Sequence, residues 1–141
     1  MIRKALCFLL ICSWVTTAES AGTKTLKMTF SATCFEDHAA TNLVYPRYDD
    51  RHPLRYPALT FILPSPFTYV GAYTIDRRTI KRATYCVDRD NCEVADSAVV
   101  NVKSIHNKMM AGDFSVSFPS GTRRTGKFVA VTYVLEDIPC I

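Results

Sequence analysis

Gly112-Asp113-Phe114-Ser115-Val116-Ser117-Phe118 alternates strictly between small or apolar and polar positions. That period of two places one side-chain set on each face of a β-strand. Pro119-Ser120-Gly121 then supplies turn chemistry. A second strand pattern follows in Gly126-Lys127-Phe128-Val129-Ala130-Val131-Thr132-Tyr133-Val134. Both strands open with Gly-x-Phe, so the two arms of the expected hairpin echo each other. Residues 129–134 are apolar on both faces, the pattern of a strand inside a sheet.

The same period recurs along the chain. Leu26, Met28, Phe30 and Ala32 alternate with Lys27, Thr29 and Ser31. Leu59, Phe61 and Leu63 form a second pattern, ended by Pro64-Ser65-Pro66. Tyr69, Gly71, Tyr73 and Ile75 form a third, Ala83, Tyr85 and Val87 a fourth, and Ala98, Val100 and Val102 a fifth. Residues 103–109 read as the turn before the Gly112 strand. Residues 35–42 admit one or two helical turns at most. Closely spaced strands without intervening helices predict an all-β antiparallel sandwich or barrel of about seven strands, spanning residues 24–135. Nothing in the chain has the pattern of a dinucleotide-binding fingerprint, a phosphate loop or a solenoid repeat.

Composition agrees with a folded single domain. The 141 residues are 48% hydrophobic and 21% charged, which argues against disorder. Residues 1–18 read as a secretory signal peptide. Arg3 and Lys4 precede an apolar run from Ala5 to Val15, and Thr16-Thr17-Ala18 suits cleavage after Ala18, with Ser20 or Ala21 as alternatives. The run is too short for a membrane span, and Ile11 before Cys12 departs from a lipoprotein cleavage site. The expected mature chain, residues 19–141, is then a secreted or periplasmic β domain without a membrane span. Its 15 basic and 13 acidic residues leave too weak a field to make nucleic acid the main partner.

Four cysteines remain after the leader: Cys34, Cys86, Cys92 and Cys140. An even count in an exported chain predicts two disulfides, with three possible pairings. Cys86–Cys92 with Cys34–Cys140 is the favoured set. The first closes a polar hairpin tip and the second staples the first strand to the chain end. In the chain-entropy picture the long loop contributes about 4.7 kcal/mol and the short one about 2.4 kcal/mol. Zinc is disfavoured because the spacing lacks a tight cysteine pair.

The order Gly-x-Tyr-x-Ile (71–75), Ala-x-Tyr (83–85), Val-x-Val (100–102), Gly-x-Phe-x-Val-x-Phe (112–118), a Gly turn and Gly-x-Phe-x-Ala (126–130) resembles a group of small exported bacterial proteins. These are mostly uncharacterised lipoprotein-like β-sandwich or β-barrel domains. The resemblance covers residues 57–134 and implies the fold and an exported location. It carries over no catalytic residue.

The densest functional signal is Tyr45-Pro46-Arg47-Tyr48-Asp49-Asp50-Arg51-His52-Pro53-Leu54-Arg55-Tyr56-Pro57. Its prolines forbid a central strand. Its Tyr and Arg content matches that of interface hot spots, so Tyr45, Arg47, Tyr48, Arg51, Arg55 and Tyr56 are the expected binding residues. The bland alternative is a connection that covers the sheet. Asp88-Arg89-Asp90-Asn91-Cys92-Glu93 offers oxygen ligands at alternate positions but departs from the Ca²⁺-loop pattern, and a solvated hairpin tip is the simpler expectation. His38, His52 and His106 lie far apart, with no nucleophile elbow. Arg77, Arg78, Lys81 and Arg82, like Arg123, Arg124 and Lys127, mark charged turns. The expected function is an exported non-catalytic binding module for a protein or glycan, without metal or cofactor. A carrier of a small apolar ligand and a hydrolase with an unfamiliar site are the alternatives.

Overall fold

The computed structural model describes residues 24–35, 38–47, 55–64, 70–76 and 82–132. The expected leader lies outside them, as do Tyr48 to Leu54, Arg77 to Lys81 and Cys140. Nine strands make up the described chain: β1 Thr25–Phe35, β2 His38–Tyr45, β3 Ala58–Pro64, β4 Gly71–Asp76, β5 Arg82–Cys86, β6 Cys92–Val94, β7 Ser97–His106, β8 Met109–Ser117 and β9 Arg123–Thr132. They form one sheet in the order β4-β7-β8-β9-β1-β2-β3-β5-β6. No helix occurs among the described residues.

The all-β class expected from the alternation holds, with three corrections. First, nine strands replace about seven. Residues 38–45 are a strand, because Thr41, Leu43 and Tyr45 turn one face to the interior while the backbone pairs with β1 from Thr29↔Val44 to Phe35↔His38. The short β6 forms opposite β5, where Cys86 and Cys92 are direct partners. Second, the turn expected over 103–109 shrinks to Asn107 and Lys108, with φ of 48° and 60°. Two successive left-handed residues make the tight hairpin turn whose twist matches its flanking strands. The Lys108 carbonyl is fixed by accepting from the Thr132 N–H at 2.9 Å. Third, the sheet is mixed, because β1 and β9 run parallel from Thr25↔Lys127 to Phe30↔Thr132. The hairpins β1–β2 and β8–β9 each close locally, and joining them edge to edge sets that orientation.

The expected closed barrel is corrected as well: the sheet stays open, with β4 and β6 at its edges, but it curls around its own inner face. Phe61 on β3 and Phe114 on β8 lie four strand spacings apart, about 19 Å in a flat sheet. Their ring centroids are 5.3 Å apart. Backbone bonds from Ala95 N–H to Ala83 O (2.8 Å) and from Asp96 N–H to Ser117 O (2.9 Å) tie the β6–β7 link to β5 and β8. Among the described residues one cluster occupies the interior, with Met28, Leu43, Phe61, Leu63, Val100, Met110, Val116, Phe128 and Ala130 fully buried. Each large member contributes about 1.5–3 kcal/mol by leaving water.

The Gly-x-Phe echo has a structural cause. The β8–β9 register pairs Gly112 with Phe128, Asp113 with Lys127 and Phe114 with Gly126. Each aromatic ring therefore lies over the other strand's glycine. A Cβ on Gly126 would stand 3.0 Å from the Phe114 ring, and one on Gly112 would stand 3.0 Å from Phe128 and 1.9 Å from the Asn101 carbonyl oxygen. The β7–β8 register shifts between Val102 and Ser104, next to that close approach. At the hairpin turn, Gly121 takes φ 84° and donates to the Phe118 carbonyl at 2.9 Å.

The Cys86–Cys92 disulfide is formed as expected. Cys34 is engaged in an interaction of its own, and its expected partner Cys140 lies outside the described residues.

Candidate functional site

Two concavities stand out among the described residues. The larger, about 410 Å³, lies where β1 begins and β2 ends, and is lined by Lys24, Thr25, Leu26, Lys27, Tyr45, Pro46, Arg47 and Arg55. Antiparallel pairing of β1 with β2 brings the start of one beside the finish of the other. Pairing of Tyr45 with Leu59 then brings the described ends of the 46–57 connection, at Pro46-Arg47 and at Arg55, to the same end of the sheet. The Tyr45-Pro46 and Tyr56-Pro57 peptide bonds at its two ends are both cis.

The side chains divide by role. Tyr45 is half-buried and packs against the core cluster, which fixes its ring as one wall. Arg47 and Arg55 are exposed, as are Lys24 and Lys27. The described lining thus holds four cations and no carboxylate. Leu26 and Pro46 add apolar surface beside the Tyr45 ring.

Of the six binding residues expected from sequence, three converge here: Tyr45, Arg47 and Arg55. Tyr56 is 37% exposed and stands outside the groove lining. Tyr48 and Arg51 lie outside the described residues. Lys24 and Lys27 were not expected. Their signal was present as a basic pair at the entry of the first alternating strand, but it acquires meaning only once β2 is known to be the neighbour of β1.

The smaller concavity, about 210 Å³, is lined by Tyr85, Val87, Asn91, Glu93, Phe118, Thr122 and Arg124. Its charged groups are engaged within the protein. The Arg124 guanidinium sits 3.8 Å from the Tyr85 ring centroid, and Phe118 tilts against the same ring at 6.1 Å. The Glu93 carboxylate accepts from the Ser120 N–H at 2.8 Å and from its hydroxyl at 3.1 Å. Arg123 donates twice to the Ser115 hydroxyl, at 3.2 and 3.1 Å. The expected basic tip at Arg123 and Arg124 therefore braces the turn.

Asp113 on β8 holds an ion pair. Lys103 pairs with its Oδ2, and Asn101 donates to its Oδ1 at 2.7 Å. The Lys103 bond first, then the Asn101 bond, hold the carboxyl below its ordinary pKa. The histidines do not converge among the described residues: His38 opens β2 and His106 ends β7. No group of three His, Cys, Asp or Glu side chains is placed to hold a metal among the described residues, the Asp88–Glu93 loop included. No helix there is long and apolar enough to cross a membrane.

The chain matches no protein-family model, no curated protein and no solved structure.

Proposed function

We propose that this protein is an exported, non-catalytic binding module, and that the groove at the start of β1 is its recognition surface. The observation that carries the reading is the convergence of Tyr45, Arg47 and Arg55 with Lys24 and Lys27 in one concavity. A core-anchored aromatic wall beside exposed Arg side chains is the composition that concentrates binding energy in interfaces. Arginine forks supply directional contacts, and Tyr45 offers area that is already ordered.

The accompanying assignments are a signal peptide over residues 1–18, a mature β domain over 19–141, a secreted or periplasmic location and a second disulfide, Cys34–Cys140. The likeness to exported lipoprotein-like β domains supports the same location.

The test is capture of a partner from the native compartment by the tagged mature protein, repeated with an Arg47→Ala/Arg55→Ala variant. Loss of the captured partner at an unchanged melting temperature is the expected result. Equal capture by both forms would remove the groove from the binding surface.

A further inference from the structure

We infer that the smaller concavity is a second, separate binding site, and that it takes one neutral sugar ring or a polyol of that size. The inference goes beyond the groove at the start of β1 and does not rest on it.

Two hairpins build the site. Tyr85, Val87, Asn91 and Glu93 come from the β5–β6 hairpin, and Phe118, Thr122 and Arg124 from the β8–β9 hairpin. Tyr85 pairs with Leu59 on one side and with Glu93 on the other. Directly opposed residues share a face, so Tyr85 and Glu93 lie on the face that Leu59 turns to the core.

Both hairpin ends are fixed before any ligand arrives. The Cys86–Cys92 bridge and the Val87 N–H to Asn91 O bond at 2.9 Å close one. The Phe118 N–H to Thr122 O and Gly121 N–H to Phe118 O bonds, each 2.9 Å, close the other. Glu93 on Ser120 and Arg124 on Tyr85 join the two. Ordered partners lower the entropy lost on binding.

The chemistry selects a neutral polar ligand. The lining carries one carboxylate, Glu93, and one guanidinium, Arg124, so its charges cancel and an ion gains no net attraction. Each charge has a neutral partner within the protein. The two Glu93 oxygens each accept one bond from Ser120, and a carboxylate offers about four lone-pair sites, so acceptor capacity remains. Arg124 lies over the Tyr85 ring and keeps its fork of donors. Asn91 and Thr122 side chains both donate and accept. Sugar hydroxyls do the same, so adjacent hydroxyls can donate to Glu93 and accept from Arg124 in charge-assisted bonds. An apolar ligand would leave those groups unpaired, at a cost. It would also find little wall, because Phe118 is only 4% exposed and Arg124 covers one face of Tyr85. A volume of about 210 Å³ falls below the about 300–1,000 Å³ of drug-sized sites. It suits a single ring.

The experiment is amide chemical-shift titration of the labelled mature protein with D-glucose, D-galactose and D-mannose. L-serine stands for a zwitterion and cyclohexanol for an apolar ring. At least one sugar should bind saturably with the millimolar affinity of a ligand with few heavy atoms, shifting Val87, Asn91, Glu93 and Thr122. Asn91→Ala should weaken that binding about tenfold. Its loop is closed by the backbone carbonyl, so the melting temperature should hold. Glu93→Gln should weaken binding similarly, and if it melts early by loosening Ser120, Asn91→Ala decides. Arg47→Gln, in the larger groove, should bind as the parent does. No saturable shift with any sugar, shifts centred elsewhere, undiminished binding in Asn91→Ala, loss in Arg47→Gln, or tighter binding of L-serine or cyclohexanol overturns the inference. Capture of a partner through Arg47 and Arg55 is read separately, so either assignment can fail without the other.

Discussion

Phe114 stands across the β8–β9 hairpin from Gly126, its ring carbons 3.0 Å from where a Cβ on that glycine would lie. The reciprocal pair, Phe128 over Gly112, repeats the arrangement one pleat away. The two rings fill the space that both glycines leave, so the hairpin's register and the core's packing are fixed by the same four residues.

The two glycines should respond differently to an added methyl. At Gly126 the nearest atoms belong to the end of the Phe114 ring, a side chain and not backbone. At Gly112 the obstacle is the Asn101 backbone carbonyl at 1.9 Å. Gly126→Ala is expected to cost about 1 kcal/mol and Gly112→Ala about 3 kcal/mol or more. Urea denaturation of the two variants checks the order, and a milder effect at Gly112 would contradict the register.

Acid should weaken the outer face through Asp113. Its carboxyl is held below the ordinary value by Lys103 and Asn101, so the folded state favours the ionised form. The stabilisation is complete above the unfolded-state pKa of about 3.9 and disappears as pH falls through the lower folded value. Asp113→Asn should flatten that part of the stability–pH curve. Lys103→Gln should move the Asp113 titration upward, as read from its carboxyl chemical shift.

Arg124 and Tyr85 join strands that are not neighbours in the sheet. A double-mutant cycle with Arg124→Gln and Tyr85→Leu should return a coupling of about 0.5–1 kcal/mol, the range for an exposed cation over an aromatic face. A coupling near zero would mean that the guanidinium does not hold its place on the ring in solution.

How far the sequence speaks depends on how local the determining contacts are. The β8–β9 hairpin was readable because strict alternation and the Pro119-Ser120-Gly121 turn lie within one short stretch. The Cys86–Cys92 bridge was readable for the same reason. Strand β2 was less visible: Ala39-Ala40 beside Glu36-Asp37-His38 is weakly β-forming, and β1 on one side with β3 on the other supplies the pairing that selects the strand. The parallel β1–β9 contact joins the two ends of the described chain and leaves no local mark. The groove was half readable. Tyr45, Arg47 and Arg55 stood out by composition, whereas Lys24 and Lys27 enter only through the adjacency of β1 and β2. The charged turn at Arg123 and Arg124 resembled a free basic tip, but Ser115 and Tyr85 hold both side chains.

The claim that the larger groove is the recognition surface is tested most directly by amide chemical-shift mapping. The measurement compares the mature protein, isotopically labelled, with and without the partner captured from its native compartment. The account predicts that the shifted amides cluster at residues 24–27, 45, 47 and 55, with the disulfide hairpin unchanged. Shifts centred instead on Tyr85, Asn91, Glu93 and Arg124 would contradict it and move recognition to the smaller concavity.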